Sequence, residues 1–213
     1  MSKLPKADMY LDLFRSRRSI RFFKDEPIPD KHVMMILEAA RWAPSASNAQ
    51  PWQFIVIKDP KVKKDLHLTM KKVGSAVRKR HPEFPWSTTP RDPKLISTVP
   101  VVVAVCADYD IEELQRYAII SEEFKKDLIS FSIAAAIQNM MLMATALGVG
   151  SLWLTKPFTK EIKQLLHIPE RLRLVALMAL GYPARHKNKA CRRPLETIVH
   201  YDKFAQEYTN QSC

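Results

Sequence analysis

Glycine is scarce: only Gly74, Gly148, Gly150 and Gly181 occur in 213 residues. A phosphate-cradling P-loop or a dinucleotide-binding strand–turn–helix needs several closely spaced glycines. The segment "GVGSLW" has Gly148 and Gly150 at the right interval but Trp153 where the third should stand, which argues against both motifs. Cysteine is also scarce. Cys106, Cys191 and Cys213 form no CxxC pair and no even-numbered framework, so free thiols in a reducing compartment are expected. The six histidines never fall in an HxxxH or HExxH spacing, and no metal site is expected. No GxSxG stands in the chain, and no cysteine has a histidine near it in sequence. Hydrolytic chemistry is therefore not indicated. No run of about 18 apolar residues occurs, so no membrane span is expected. The stretch "MSKLPKADMY" lacks the apolar segment of a secretory signal, and a cytoplasmic protein is the expectation.

What is abundant is positive charge, a formal +12 against an apolar content of 46%. The apolar share supports a folded core within one sizeable domain, spanning 1–213. The charge is compatible with nucleic acid, an acidic surface, anionic small molecules or simply a solvated basic face.

Periodicity places the elements. Tyr10, Leu13, Phe14 and Arg17 mark a helix over 8–18. "PIPDKHVMMILEAARWA" is a second helix with Asp30 as its cap and Val33, Ile36, Leu37 and Ala40 as its buried stripe. "WQFIVIKD" is a strand, and 61–80 is a basic helix. "HPEFPWSTTPRDPK" is proline-rich, so an irregular excursion is expected at about 70–98. "VPVVVAVCAD" is a strand buried on both faces. "SEEFKKDLISFSIAAAIQNMMLMATALGVG" is the longest helix. Glu122 and Glu123 complement its dipole, and Gly148 ends it. "SLWLT" is a short strand, "TKEIKQLLHIP" a helix capped by Thr159, and "RLVALMALGYP" a further strand. From Arg192 a C-terminal arm has little helical period. The mixture is α+β. The long apolar helix is much for this chain to bury alone, which makes a homodimer plausible.

Four stretches could carry chemistry. "RSRRSIR" puts four arginines and two serines together with no acid, a match to phosphate oxygens, although a solvated helix end has the same composition. "ACRRP" brings Arg192 and Arg193 from the other end of the chain. The two clusters could meet on one anion, because domain termini often lie close together. "APSASNAQPW" offers Ser45, Ser47, Asn48 and Gln50 beside small residues that permit close approach; an ordinary connection is the alternative. "GVGSLWLTKPF" can aim backbone N–H groups at a ligand edge. The methionines of the long helix read as core. If the protein is an enzyme, the chemistry belongs to a cofactor whose phosphate the protein holds.

Taken in order, "RRSIRFF", "ILEAARWAPSASNAQPWQFIVI", "VPVVVAVCAD", "SIAAAIQNMMLMATALGVGSLWL", "LMALGYP" and "RRPLETIVHY" resemble the FMN-dependent nitroreductase family over nearly the whole chain. The resemblance implies a nitroreductase-like α+β fold, with a central mixed sheet flanked by helices, in an intertwined homodimer with FMN at the interface. It implies that Arg17, Arg18, Ser19 and Arg21 hold the phosphate and the pyrimidine end. Pro44, Ser45, Ala46, Asn48 and Gln50 would pack beside the isoalloxazine of the other subunit. Trp153, Leu154 and Thr155 would point a backbone N–H at N5, and Arg193 with Arg192 would return to the phosphate. Lys94 matches a lysine that some members use before the central strand. Lys156-Pro157 departs from the glycine many relatives have there. The implied activity is NAD(P)H-dependent flavin oxidoreductase chemistry, with NADH or NADPH reducing FMN and a nitroaromatic, quinone or similar conjugated acceptor reoxidising it by a ping-pong route. No side chain is assigned as an obligatory acid or base. A specialised relative, such as a reductive dehalogenase or a flavin-consuming enzyme, is the alternative on the same cofactor. From a different class, a basic nucleic-acid-binding module is opposed by the lack of interleaved aromatics, zinc or helix-turn-helix signatures. Neither nucleic acid nor membrane is expected as a partner.

Overall fold

The computed structural model describes residues 6–80, 94–155, 160–185 and 190–204. Four strands form one sheet: β1 (Trp52–Ile57), β2 (Val101–Asp108), β3 (Gly150–Leu154) and β4 (Leu172–Gly181), in the order β1-β2-β4-β3. β2 lies between β1 and β4, and its residues from Val101 to Ala107 are all buried, as its unbroken apolar run requires. Seven helices accompany the sheet among the described residues: α1 (Ala7–Ser16), α2 (Asp30–Arg41), α3 (Pro60–Arg80), α4 (Leu95–Thr98), α5 (Glu112–Gln115), α6 (Glu122–Ala146) and α7 (Lys160–Leu165).

Every pairing of these strands is antiparallel, which corrects the expected mixed sheet. The reason lies in where the links return. Ile57, the last residue of β1, stands opposite Val102 at the start of β2, so the long link between them begins and ends at the same end of the sheet. Helices in a link do not by themselves produce a parallel crossover. The one parallel pairing described is the isolated bridge Ser19↔Ser151.

Strand alternation divides the core in two. Val101, Val103, Val105 and Ala107 face a cluster with Val33, Ile36 and Ala40 of α2 and Ile129, Ile133, Ile137 and Met140 of α6. Val102, Ala104 and Cys106 face the other way, onto Leu66 of α3, Leu95 and Ile96 of α4, and Ile162 of α7. α6 begins with the Ser121 hydroxyl accepting from Phe124 N at 2.9 Å. It ends at Gly148, whose φ of 71° is one that a side chain disfavours. An 18-residue window of α6 reaches a mean hydropathy of 1.5, enough by length and composition to cross a membrane. Its packing against α2 and the sheet makes it a core helix.

Several local expectations change. The α2 cap position is Pro29, and Asp30 is the first helical residue, where its carboxylate pairs with Lys58. α3 runs on to Arg80 and α4 covers Leu95–Thr98, so both described ends of the expected 70–98 excursion are helical. Residues 81–93, like Thr159 and Lys156-Pro157, lie outside the described residues. Cys106 is a free thiol, and burial pushes its pKa up to about 11. Cys191 is disulfide-bonded, against the free-thiol expectation. Separation along the chain says nothing of the distance between cysteines in space.

Candidate functional site

The arginine corner is built on the free edge of β3. Gly150 starts that strand, and a Cβ there would come within 2.8 Å of Ile20 Cγ1. This missing side chain lets the segment after α1 dock. Ile20 N donates to Ser151 O at 2.9 Å, and Ser19 bridges to Ser151. Farther on, Lys24 N donates to Tyr182 O at 2.8 Å. Arg17, Arg18, Ser19 and Arg21 are thereby held beside the strand that carries Trp153 and Leu154 and leads to Thr155.

The arm supplies further charge. Arg17 is held below its ordinary pKa, first by burial and then by the positive charges of Arg192 and Arg18. Residues from opposite ends of the chain therefore do converge. Arg18 folds back, with Nη1 donating to Arg15 O at 2.5 Å and to Arg17 O at 2.7 Å. Arg192 Nη1 donates to Cys191 O at 2.7 Å, and Arg193 is half-buried nearby in sequence. Like charges gathered this closely are costly unless an anion joins them.

Two polar atoms on β3 complete the corner. Ser151 Oγ and Trp153 Nε1 are buried with no hydrogen-bond partner among the described residues. Converging guanidiniums and unpaired buried polar groups fit a phosphorylated ligand with polar edges, as FMN is. Trp153 turns toward the α6 side of the sheet and Leu154 toward the other core, while Thr155 is exposed.

The "PSASNAQ" loop occupies a second place. It is a 3-10 turn (Ala46–Asn48) with φ of 51° at Ser47, 54° at Asn48 and 50° at Gln50. Such left-handed residues cost about 1 kcal/mol or more each and persist only where bonds hold them. Here Ser45 Oγ accepts from Gln50 N at 3.0 Å, and Gln50 Nε2 donates to Asn48 O at 3.1 Å. Ala46 N donates to Ser132 Oγ of α6 at 3.2 Å. Pro44 is exposed at the loop's start. At its end, Pro51 O accepts from Asp108 N at 2.8 Å and Trp52 stands opposite Ala107, so the loop is anchored to β2. The described hydrogen bonds of this loop run to α6 and to the 112–119 segment, not to the arginine corner.

The profile described as "Nitroreductase family" matches residues 14–182. The chain belongs to the nitroreductase family. It is 32% identical over 182 residues to an Archaeoglobus fulgidus protein provisionally named NADH dehydrogenase/NAD(P)H nitroreductase, covering 84% of this chain and 87% of that one. It is 30% identical over 206 residues to an iodotyrosine deiodinase of Thermotoga neapolitana, covering 92% and 99%. In fold it is similar to the Vibrio harveyi NADPH:FMN oxidoreductase solved with NAD+, with a TM-score of 0.70 at 20% identity, covering 92% of this chain and 78% of that one.

In this nitroreductase-family chain the structure thus gathers Arg17, Arg18, Ser19 and Arg192 beside β3. It keeps Pro44, Ser45, Ala46, Asn48 and Gln50 on a separate loop. Lys94 stands at the N-terminal end of α4, on the side of the sheet with the second core. Sequence reasoning missed three residues that touch the loop. Ser132 is one of two serines, with Ser130, in a mostly apolar stretch of α6, and nothing in the sequence singles it out. Arg116 and Tyr117 follow α5 and bond to Ser47, and nothing in "QRYAII" links them to position 47.

Proposed function

We propose that the chain is an FMN-dependent oxidoreductase that passes electrons from NADH or NADPH to nitroaromatic, quinone or similar conjugated acceptors. The observation that supports this reading is a cluster of like charge, Arg17 under the influence of Arg192 and Arg18, next to a strand whose Ser151 hydroxyl and Trp153 indole are buried with no hydrogen-bond partner among the described residues. Arg17, Arg18, Ser19 and Arg21, with Arg192 and Arg193, would hold the phosphate and the pyrimidine end. The backbone of Trp153–Thr155 would lie along the ring, and Lys94 is kept as a peripheral contact. Bound there, FMN would supply the hydride-accepting and electron-donating chemistry, donor and acceptor using one slot in turn. The arginines would orient the cofactor and favour its anionic reduced form.

The loop Pro44, Ser45, Ala46, Asn48 and Gln50 would reach the cofactor of a second subunit, making one FMN-binding domain of 1–213 that works as an intertwined homodimer. Exposed apolar groups support this. α1 buries none of its residues although Met9 is 63%, Leu11 46% and Phe14 51% exposed. Tyr201 and Phe204 of the arm are 85% and 64% exposed. A short amphipathic helix with no buried face needs a partner surface. A cytoplasmic setting belongs to the same reading and requires that the Cys191 disulfide be dispensable under reducing conditions.

Reductive dehalogenation on the same cofactor is a second reading, favoured by similarity to the deiodinase over 99% of that relative's length. The test is anaerobic. Purified protein should carry a flavin spectrum, bleach with NADH or NADPH, and recolour with a nitroaromatic or quinone. Recolouring only by a halogenated phenol would select the dehalogenase. A colourless protein that does not take up added FMN would overturn both.

A further inference from the structure

We infer that Arg116, with the hydroxyls of Tyr117 and Ser47, forms an anion-recognising subsite for the carboxylate or phenolate of an aromatic electron acceptor. The inference rests on the oxidoreductase reading and names the acceptor class for that site.

The geometry is specific. Arg116 Nη2 donates to Ser47 Oγ at 2.8 Å and to Tyr117 OH at 3.3 Å. The two hydroxyls are themselves 3.0 Å apart. The guanidinium also lies over the Tyr117 ring, 5.0 Å from its centroid. Nη2 has thus spent both of its hydrogens on neutral oxygens. Nε and Nη1 have no described partner, and no carboxylate pairs with Arg116 among the described residues. Those remaining N–H groups can still donate charge-assisted hydrogen bonds to an anion.

Nearby groups say what else the ligand carries. Tyr117 and Phe124 pack edge to face with centroids 6.0 Å apart, and Phe124 is 40% exposed. Ile119 and Ile120 follow at 88% and 70% exposed. An aromatic ledge beside an unpaired guanidinium suits a ring bearing an acid rather than a bare inorganic anion. Ser47 belongs to the loop whose left-handed backbone is assigned to the cofactor under the proposed function. Whatever Arg116 holds is therefore presented to that loop. The Tyr117 phenol lies below its ordinary pKa because of its hydrogen bonds with Ser47 and then Arg116, in keeping with a hydroxyl inside a positive site.

The experiment compares 4-nitrobenzoate with its methyl ester, in FMN-loaded wild type, Arg116→Gln, Arg116→Lys and Ser47→Ala. Arg116→Gln should raise KM for 4-nitrobenzoate about ten-fold relative to the change seen with the ester, the loss expected for one charge-assisted hydrogen bond. Arg116→Lys should recover part of that difference by charge alone. Calorimetry with benzoate, which accepts no electrons here, should show the same order of affinities. If Arg116 only ties down Ser47, then Arg116→Gln and Ser47→Ala will shift both acceptors alike and leave benzoate binding unaltered. That result overturns the subsite while the oxidoreductase reading stands. Arg116-dependent benzoate binding in a protein that passes no electrons from NADH or NADPH to either nitro compound or to a quinone keeps the subsite and overturns the reading instead.

Discussion

The arginine corner and the 44–50 loop are organised by opposite means. At the corner the backbone is relaxed and docked by ordinary strand-edge bonds, and what is unfavourable is charge: burial and the like charges of Arg192 and Arg18 act on Arg17. In the loop the side chains are paired, and what is unfavourable is backbone: Ser47, Asn48 and Gln50 are all left-handed. A ligand can relieve the first region but not the second. The corner is therefore expected to tighten when a phosphate arrives. The loop is expected to be preformed, held by Ser132, Arg116 and its own hydroxyls.

The largest expected effect breaks the corner. Replacing Arg17 and Arg192 together with alanine should weaken FMN binding on the order of 100-fold or more, since each charge-assisted phosphate contact contributes about 1.5–3 kcal/mol. A flavin fluorescence titration at fixed salt measures it. The apoprotein should melt no lower for losing charges that repel each other. Unchanged FMN affinity would remove the phosphate assignment, whatever happened to the loop.

Next comes the loop. Ser132→Ala leaves the half-buried Ala46 N–H without its acceptor, at a cost of about 1 kcal/mol. The midpoint of denaturant unfolding reports this. The comparison predicts a crossed result: the arginine variants lose ligand and keep stability, while Ser132→Ala loses stability in the ligand-free protein. If ligand-free stability fell equally in both, the two regions would not differ in kind.

Gly148 stands between the regions, joining α6, which carries Ser132, to β3, which carries the corner. Its φ is 71°, and no atom lies within 4 Å of where a Cβ would stand. Gly148→Ala should therefore cost only the backbone term, about 1 kcal/mol, and Gly148→Asn less. A drop several times larger in the thermal melt would mean that the turn is crowded, contrary to the geometry.

These contrasts also explain how much could be read in advance. β2 was legible because seven successive apolar residues have few places to go other than a core, and α6 because it is apolar at most positions over twenty residues. The meeting of Arg17 with Arg192 was legible only as conjecture, from charge and the nearness of termini. The sense of the sheet was not legible, because the 58–100 link carries the same helical periodicity whichever end of the sheet it returns to. Arg116 was not legible at all. Its role follows from contact with Ser47, and residues 47 and 116 share no pattern. Asp30 misled for a local reason: an acid at a helix start can cap or can pair with Lys58, and composition does not say which.

The smallest effect concerns the approach to the loop, where α2 ends at Arg41 and Trp42. Glu38 Oε1 accepts from the Trp42 indole at 2.8 Å and from Arg41 Nη2 at 2.5 Å, and the Arg41 guanidinium lies 5.2 Å from the Trp42 ring centroid. The Arg41 hydrogen bond, then that of Trp42, holds the Glu38 carboxyl at about 2, below its ordinary 4.5. A carboxylate depressed in the folded state contributes stability above its unfolded pKa and loses it as pH falls through the folded one. The contribution is thus complete above about 4.5 and gone below about 2. All three side chains are exposed, so the effect is small. Wild type should unfold at slightly higher denaturant than Glu38→Gln at pH 7, and the two should coincide below pH 2. A difference that survived in acid would mean that the shape of the carboxyl group, rather than its charge, holds Trp42 in place. The entrance to the loop would then be fixed by packing, and the contrast between a charge-built corner and a bond-built loop would not extend to α2.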